Sequence, residues 1–204
     1  GGTSTVPGCT AGAMFSSTTG AACTGGTSTP TGPLAGTDGS INDVNELGSY
    51  NNEEVGEGQS DVKIVGFEVE ATNDGDIAIK SAKLSFTITN ASGSDNLDDY
   101  IDGASVWMGS TKVGSADADD FSEGSSGVWT KTVTLSSPVV KSDETENFYV
   151  TVDAANAFDS GDIDTEVFTA DVDNLRFVDG TGVVTTEDGY DLGDMNVVAE
   201  FETY

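Results

Sequence analysis

The side chains most able to do chemistry in this chain are carboxylates. Thirty-six Asp and Glu stand against seven Lys and Arg, and there is no histidine. Two carboxylates at suitable separation make a glycosidase, one with its pKa raised to serve as the acid. With so many candidates some pair at that distance is inevitable, so the pattern singles out no active site. Serine chemistry lacks its histidine base and a GxSxG turn. The glycine-rich stretches do not sit in a strand–loop–helix unit that would cradle phosphate. The chain is therefore read as non-enzymatic.

Calcium is the better use of so many hard oxygen ligands. Aspartates cluster at Asp95, Asp98, Asp99 and Asp102, at Asp117, Asp119 and Asp120, at Asp159, Asp162 and Asp164, at Asp171, Asp173 and Asp179, and between Asp188 and Asp194. None fits the twelve-residue EF-hand loop. The 159–164 and 171–179 groups, read as loops, are the favoured Ca²⁺ ligands; solubilising loop residues are the plainer reading. No cofactor is required. Trp107 and Trp129, with Tyr50 and Tyr100, are the aromatic side chains that would stack on the sugars of a cell-surface glycan, although a strand tryptophan more often packs in a core or at its rim.

The formal charge of −29 excludes other partners. Seven cations cannot neutralise a row of phosphates, which removes nucleic acid, and anionic membrane surfaces repel such a chain. No run approaches the ~20 apolar residues that cross a bilayer, so no membrane insertion is expected. No charged-then-apolar signal segment opens the sequence at Gly1, which reads as a mature or processed fragment.

Residues 1–37 form a leader of almost pure Gly, Ser, Thr, Ala and Pro, with GTST at 2–5 and again at 26–29. Its composition buries too little surface to fold alone. Both cysteines, Cys9 and Cys23, lie within it. A disulfide between them closes a loop of about 15 residues, worth roughly 3 kcal/mol, and implies a secreted, extracellular or cell-surface location. Val6, Met14, Phe15 and Leu34 are its apolar anchors.

Residues 38–204 must supply the domain. A hydrophobic fraction of 36% is low, but nearly all the Val, Ile and Phe lie beyond residue 61, in a stretch long enough to bury a core. Val62, Ile64, Val65, Phe67 and Val69 alternate in two phases, a strand carrying a bulge next to Gly66. Ile77 and Ile79, then Leu84, Phe86 and Ile88, behave alike. Further runs at 104–108, 129–135, 148–152, 167–168, 175–177, 183–184 and 197–201 are separated by Gly, Asn and Asp turns. That spacing predicts an all-β fold, a β-sandwich of immunoglobulin-like or jelly-roll type with about nine strands. Short helical turns are expected at 94–102, capped by Ser94, and at 153–158.

The segments VGEGQSDVKIVGFEVEATNDGDIAIKSAKLSF (55–86), SDNLDDYIDGASVWMGSTKVGSADADDF (94–121) and SGDIDTEVFTADVDNLRFVDGTGVVTTEDG (160–189) resemble a domain of large secreted, surface-layer-like proteins of candidate-phylum, ultra-small bacteria. CTAGAMFSSTTGAAC (9–23) is similar to the short Cys-bounded repeats that precede such domains. The resemblance implies an extracellular structural role and no catalytic residues. The resulting expectation is a homo-polymeric subunit of a filament or surface layer, its leader lying along a neighbouring copy's sheet edge or in its groove. A leader folded back on its own sandwich is the competing arrangement. A carbohydrate-binding or adhesin module of a larger surface protein is the alternative function.

Overall fold

The computed structural model describes residues 33–50, 53–89, 94, 96–125, 127–158, 167–188 and 197–202, with the backbone alone described at Val167 and at 197–202. Among these residues the chain forms thirteen strands. They are β1 (Ile41–Glu46), β2 (Glu54–Gly56), β3 (Val62–Ala71), β4 (Ile77–Thr89), β5 (Ile101–Met108), β6 (Thr111–Asp117) and β7 (Ser122–Ser125), followed by β8 (Val128–Thr134), β9 (Val139–Val140), β10 (Thr145–Ala154), β11 (Val167–Asp179), β12 (Val184–Asp188) and β13 (Val197–Glu202). The sandwich expectation holds, with more strands than expected. The extra ones are β1, β2, β6, β7 and β9. Several are too short or too polar to show an alternating pattern.

One sheet has the order β1-β3-β10-β5-β6. The other runs β2-β13-β11-β4-β8-β7, with β12 beside β11 and β9 beside β4. Neighbours pair antiparallel except β13 with β2, which are parallel.

The two-phase alternation in the sequence records bulges in three of the four longest strands. Along β3 the pairing steps from Val150↔Val65 to Thr151↔Lys63, leaving Ile64 as the extra residue. Lys80 is extra in β4, between Phe177↔Ile79 and Arg176↔Ser81. Asp173 is extra in β11, between Val172↔Leu84 and Asn174↔Lys83. Each extra residue flips the facing phase. That is why Ile77 and Ile79 and then Ala82, Leu84, Phe86 and Ile88 are all buried within one strand. It is also why Phe168, Ala170 and Val172 hand over to Leu175 and Phe177.

These side chains form one core between the sheets. Phe67 and Phe148 stack at 5.5 Å, and Tyr100 meets Phe168 edge-on at 4.9 Å. At one corner the sheets join, where the Ser136 N–H donates to the Val113 carbonyl at 2.7 Å and covers part of the β6 edge.

Two local expectations are corrected. The 94–102 segment contains a single 3-10 turn at Leu97–Asp99 with Asn96, not Ser94, at its N-cap. The stretch 153–158 is not helical. Asp153 and Ala154 end β10, because their pairing with β5 outcompetes a local turn.

Candidate assembly edge and aromatic face

The base of the leader is tied to its own domain. Gly36 bridges Gly75 antiparallel, the Thr37 N–H donates to the Asp74 carbonyl (3.1 Å), and the Asp76 N–H donates to the Ala35 carbonyl (2.8 Å). The Asp76 carboxylate accepts the Ala35 N–H on one oxygen and the Ser142 N–H on the other, both at 3.0 Å. One side chain thus joins the leader base, the β3–β4 turn and the turn before β10. Gly36 has φ +82°, and a Cβ there would lie 2.4 Å from the Asp74 carbonyl oxygen, so both conformation and contact require glycine. Leu34 is half-buried. For residues 33–37 the folded-back arrangement is the observed one. Val6, Met14, Phe15, Cys9 and Cys23 lie outside the described residues.

This base adjoins the β11–β12 hairpin: a Cβ on Gly180 would stand 2.8 Å from the Gly36 carbonyl oxygen. Asp179 builds the hairpin turn. Its Oδ1 accepts the Thr181 hydroxyl (2.7 Å), the Thr181 N–H (2.9 Å) and the Val183 N–H (2.9 Å). The Thr181 hydroxyl above all, helped by the backbone amides, holds this carboxyl below the ordinary value of 3.8 against the opposing effect of burial.

Beyond the turn, Val183 (57% exposed) and Val184 (46%) are the exposed large hydrophobic side chains among the described residues. The Asp179 N–H donates to the Val183 carbonyl at 3.1 Å, which makes 179 and 183 a hydrogen-bonded pair. Antiparallel ladders alternate, so the N–H and C=O of Val184 and Thr186 point away from β11. The other edges are better guarded. Strand β1 carries Asp43 and Glu46, β2 and β7 span three and four residues with Glu54 and Glu123, and β6 is partly covered at the corner. Thr181–Thr186 carries no charge at all.

A second feature covers the outer face of the five-stranded sheet. Trp107 pairs with Tyr149 across β5 and β10, and Tyr50 meets Tyr149 edge-on at 5.3 Å. Lys63 lies over the Tyr149 ring at 3.7 Å and Lys112 over Trp107 at 4.9 Å, with Lys112 also 3.1 Å from Asp61. The Trp107 indole N–H donates to the Thr151 hydroxyl at 3.0 Å. Two of the chain's seven cations are thereby spent on aromatic rings. Desolvation first, then the neighbouring Tyr149, push the Tyr50 phenol above its ordinary 10.0.

Trp129 stands elsewhere, partly buried against the core on β8. It lines an open cleft of about 250 Å³ with Asn96, Asp98, Ala118, Asp119 and Phe121. The fold thus brings members of the 95–102 and 117–120 acidic groups to one cleft, while the two tryptophans lie on different sheets and make no common sugar platform.

The 171–179 group is corrected outright. It is strand, not loop. At about 3.3 Å per residue, Asp171 and Asp179 stand roughly 26 Å apart and cannot share an ion. Asp173 instead pairs with Lys83 at 2.5 Å and accepts the Ser85 hydroxyl at 2.9 Å, aimed there by its bulge. Asp179 is committed to its turn. Asp159, Asp162 and Asp164 lie outside the described residues. Among the described residues no three acidic side chains gather as a metal site.

Sequence reading missed Asp76, Gly36 and the β12 edge. The uncharged run Thr181–Thr186 does not stand out in the sequence, because 85–94, 103–111 and 132–140 are longer uncharged runs.

No family model and no curated protein matches the chain. Among solved structures, the sixth cohesin of scaffoldin B from Acetivibrio cellulolyticus, in complex with a mutant dockerin, is similar at 17% identity and a TM-score of 0.30, over 82% of this chain and 99% of that one. AvmM, which catalyses macrocyclization in alchivemycin A biosynthesis, is similar at 13% identity and a TM-score of 0.35, over 78% of this chain and 88% of that one. Likenesses this distant identify no relative, and the fold is defined by the two sheets themselves.

Proposed function

We propose that this chain is a structural subunit of an extracellular assembly, a filament or surface layer, whose copies join through the N-terminal leader. The observation that carries this reading is the fixed base of the leader. Residues 33–37 are anchored at one end of the sandwich, so residues 1–32 start from a defined point. Charge supports it as well. All 36 acids and all seven cations lie from Asp38 onward, and the leader carries no charged side chain. Two domains of net charge −29 repel one another, whereas an uncharged arm approaches a neighbour without that cost. An arm that engages the next copy makes a heterologous contact, and a heterologous contact that does not close propagates. Among the described residues no helix is long and apolar enough to cross a membrane.

The test compares the full chain with one lacking residues 1–32, by sedimentation and electron microscopy over a range of NaCl. Cutting at 32 rather than 37 spares the contacts of the leader base. Polymers from the full chain, strengthened by salt and lost on deletion, are the expected result. Undiminished assembly of the truncated chain would refute the reading.

A second reading, a glycan-binding or adhesin module, is favoured by one observation, the Trp107–Tyr149–Tyr50 stripe. A polysaccharide pull-down abolished by Trp107→Ala, with the melting temperature retained, would establish it in place of the first.

A further inference from the structure

We propose that the open edge of β12 is the acceptor in this assembly, taking the leader of a second copy as an added strand. The inference rests on the assembly reading and specifies its contact. Three independent features meet at this edge. First, the outward N–H and C=O groups of Val184 and Thr186 form an unfilled ladder among the described residues, the geometry by which an extended peptide adds to a sheet. Second, Val183 and Val184 place exposed apolar surface there. Third, Thr181–Thr186 is uncharged, as residues 1–37 are, so the two segments meet without repulsion. The acids of this strand, Glu187 and Asp188, are confined to its far end. They limit how far an added strand runs.

The geometry also accounts for exchange between copies. The leader base touches the β11–β12 turn at Gly180, so each leader leaves its own domain beside its own acceptor edge. Thirty-two residues extended at about 3.3 Å each reach up to roughly 100 Å, enough to cross to a neighbouring domain. A second copy is the occupant because an acidic partner of another kind would meet the repulsion that the uncharged leader avoids.

The experiment uses the full chain and two edge variants. Val184→Pro removes an outward N–H while leaving the hydrogen bonds to β11 in place, because that N–H does not face β11. The pair Val183→Ser with Val184→Ser removes the apolar contact and keeps the backbone. Sedimentation reports assembly, thermal melting reports folding, and hydrogen exchange reports protection of the Val184 and Thr186 amides. The expected result is a loss of assembly of at least tenfold in apparent affinity for both variants, with melting retained. In the parent chain, protection of the two amides should rise with protein concentration and vanish on deletion of residues 1–32.

Assembly that persists in both edge variants yet disappears on leader deletion overturns the acceptor edge and leaves the assembly reading standing. Protection that is independent of concentration overturns the second-copy occupant, since the leader then fills its own edge. A parent chain that stays monomeric at every concentration and salt overturns both. If Val184→Pro melts early, the double serine variant decides.

Discussion

Gly66 offers the sharpest test of how the outer face of the five-stranded sheet is built. A Cβ at this position would lie 2.4 Å and 2.8 Å from two carbons of the Tyr50 ring and 3.1 Å from the Leu47 Cβ. Its backbone is not in the left-handed region, so alanine is conformationally acceptable. By reducing the freedom of the unfolded chain, Gly66→Ala should gain about 0.4–1 kcal/mol. Against this, the methyl evicts Tyr50. That loses the edge-on contact with Tyr149, worth about 0.5–1.5 kcal/mol, and the weaker contact with Lys63 at 5.6 Å, worth about 0.5 kcal/mol. If Tyr50 cannot swing clear, overpacking adds about 1–3 kcal/mol. Eviction wins, and Gly66→Ala should destabilise by about 1 kcal/mol. In a Tyr50→Ala background the ring clash is gone, only the tight approach to the Leu47 Cβ remains, and the same substitution should stabilise by about 0.5 kcal/mol. The coupling of about 1.5 kcal/mol corresponds to roughly 3–6 °C in melting temperature for a chain of this size. Chemical denaturation of the four proteins of the cycle measures it. Additivity within about 0.5 kcal/mol would show that Gly66 is not there to seat Tyr50.

Asp179→Asn should lower the melting temperature at neutral pH, because the amide makes a poorer acceptor for the Thr181 and Val183 donors. The folded-state pKa is depressed, so this contribution is complete above 3.8 and is lost as pH falls below it; the gap between parent and variant should be constant from pH 5 to 7 and close in acid, and a gap that persists there refutes the assignment. The Tyr50 phenol should ionise above the ordinary 10.0, read as the phenolate absorbance that a Tyr50→Phe variant loses from the parent's titration. Intact-mass measurement after alkylation without reduction should find no free thiol if Cys9 and Cys23 are bridged, whereas two alkylated sites would exclude the disulfide. Ca²⁺ should raise the melting temperature more than NaCl of equal ionic strength, and Asp162→Asn should erase that excess; equal shifts from the two salts would reduce the aspartates to surface charge.

What the amino-acid pattern determines by itself is the class of fold and the position of the long strands. Alternation has a period of two whatever the strand pairs with, so β3, β4 and β10 were legible, and the slip read next to Gly66 announced the β3 bulge, which falls at Ile64; β11 was read only as two short runs, because its acidic middle looked like a loop. Composition alone marked residues 1–37 as a separate, uncharged segment. The remainder was decided by pairing. Strands such as Glu54–Gly56 and Val139–Val140 exist only because a longer neighbour supplies their partners, and no two-residue pattern can encode that. The aspartates show the difference most clearly. In sequence, Asp171, Asp173 and Asp179 look like a cluster, yet extended backbone separates them and sends each to a different task. Conversely, Asn96, Asp98, Asp119 and Trp129, far apart in the chain, share one cleft. Proximity along a chain becomes proximity in space only where the backbone turns. Here the backbone runs straight through the 171–179 acidic group and turns at Asp179, which brings the Gly180 turn and the exposed β12 edge beside the root of the leader.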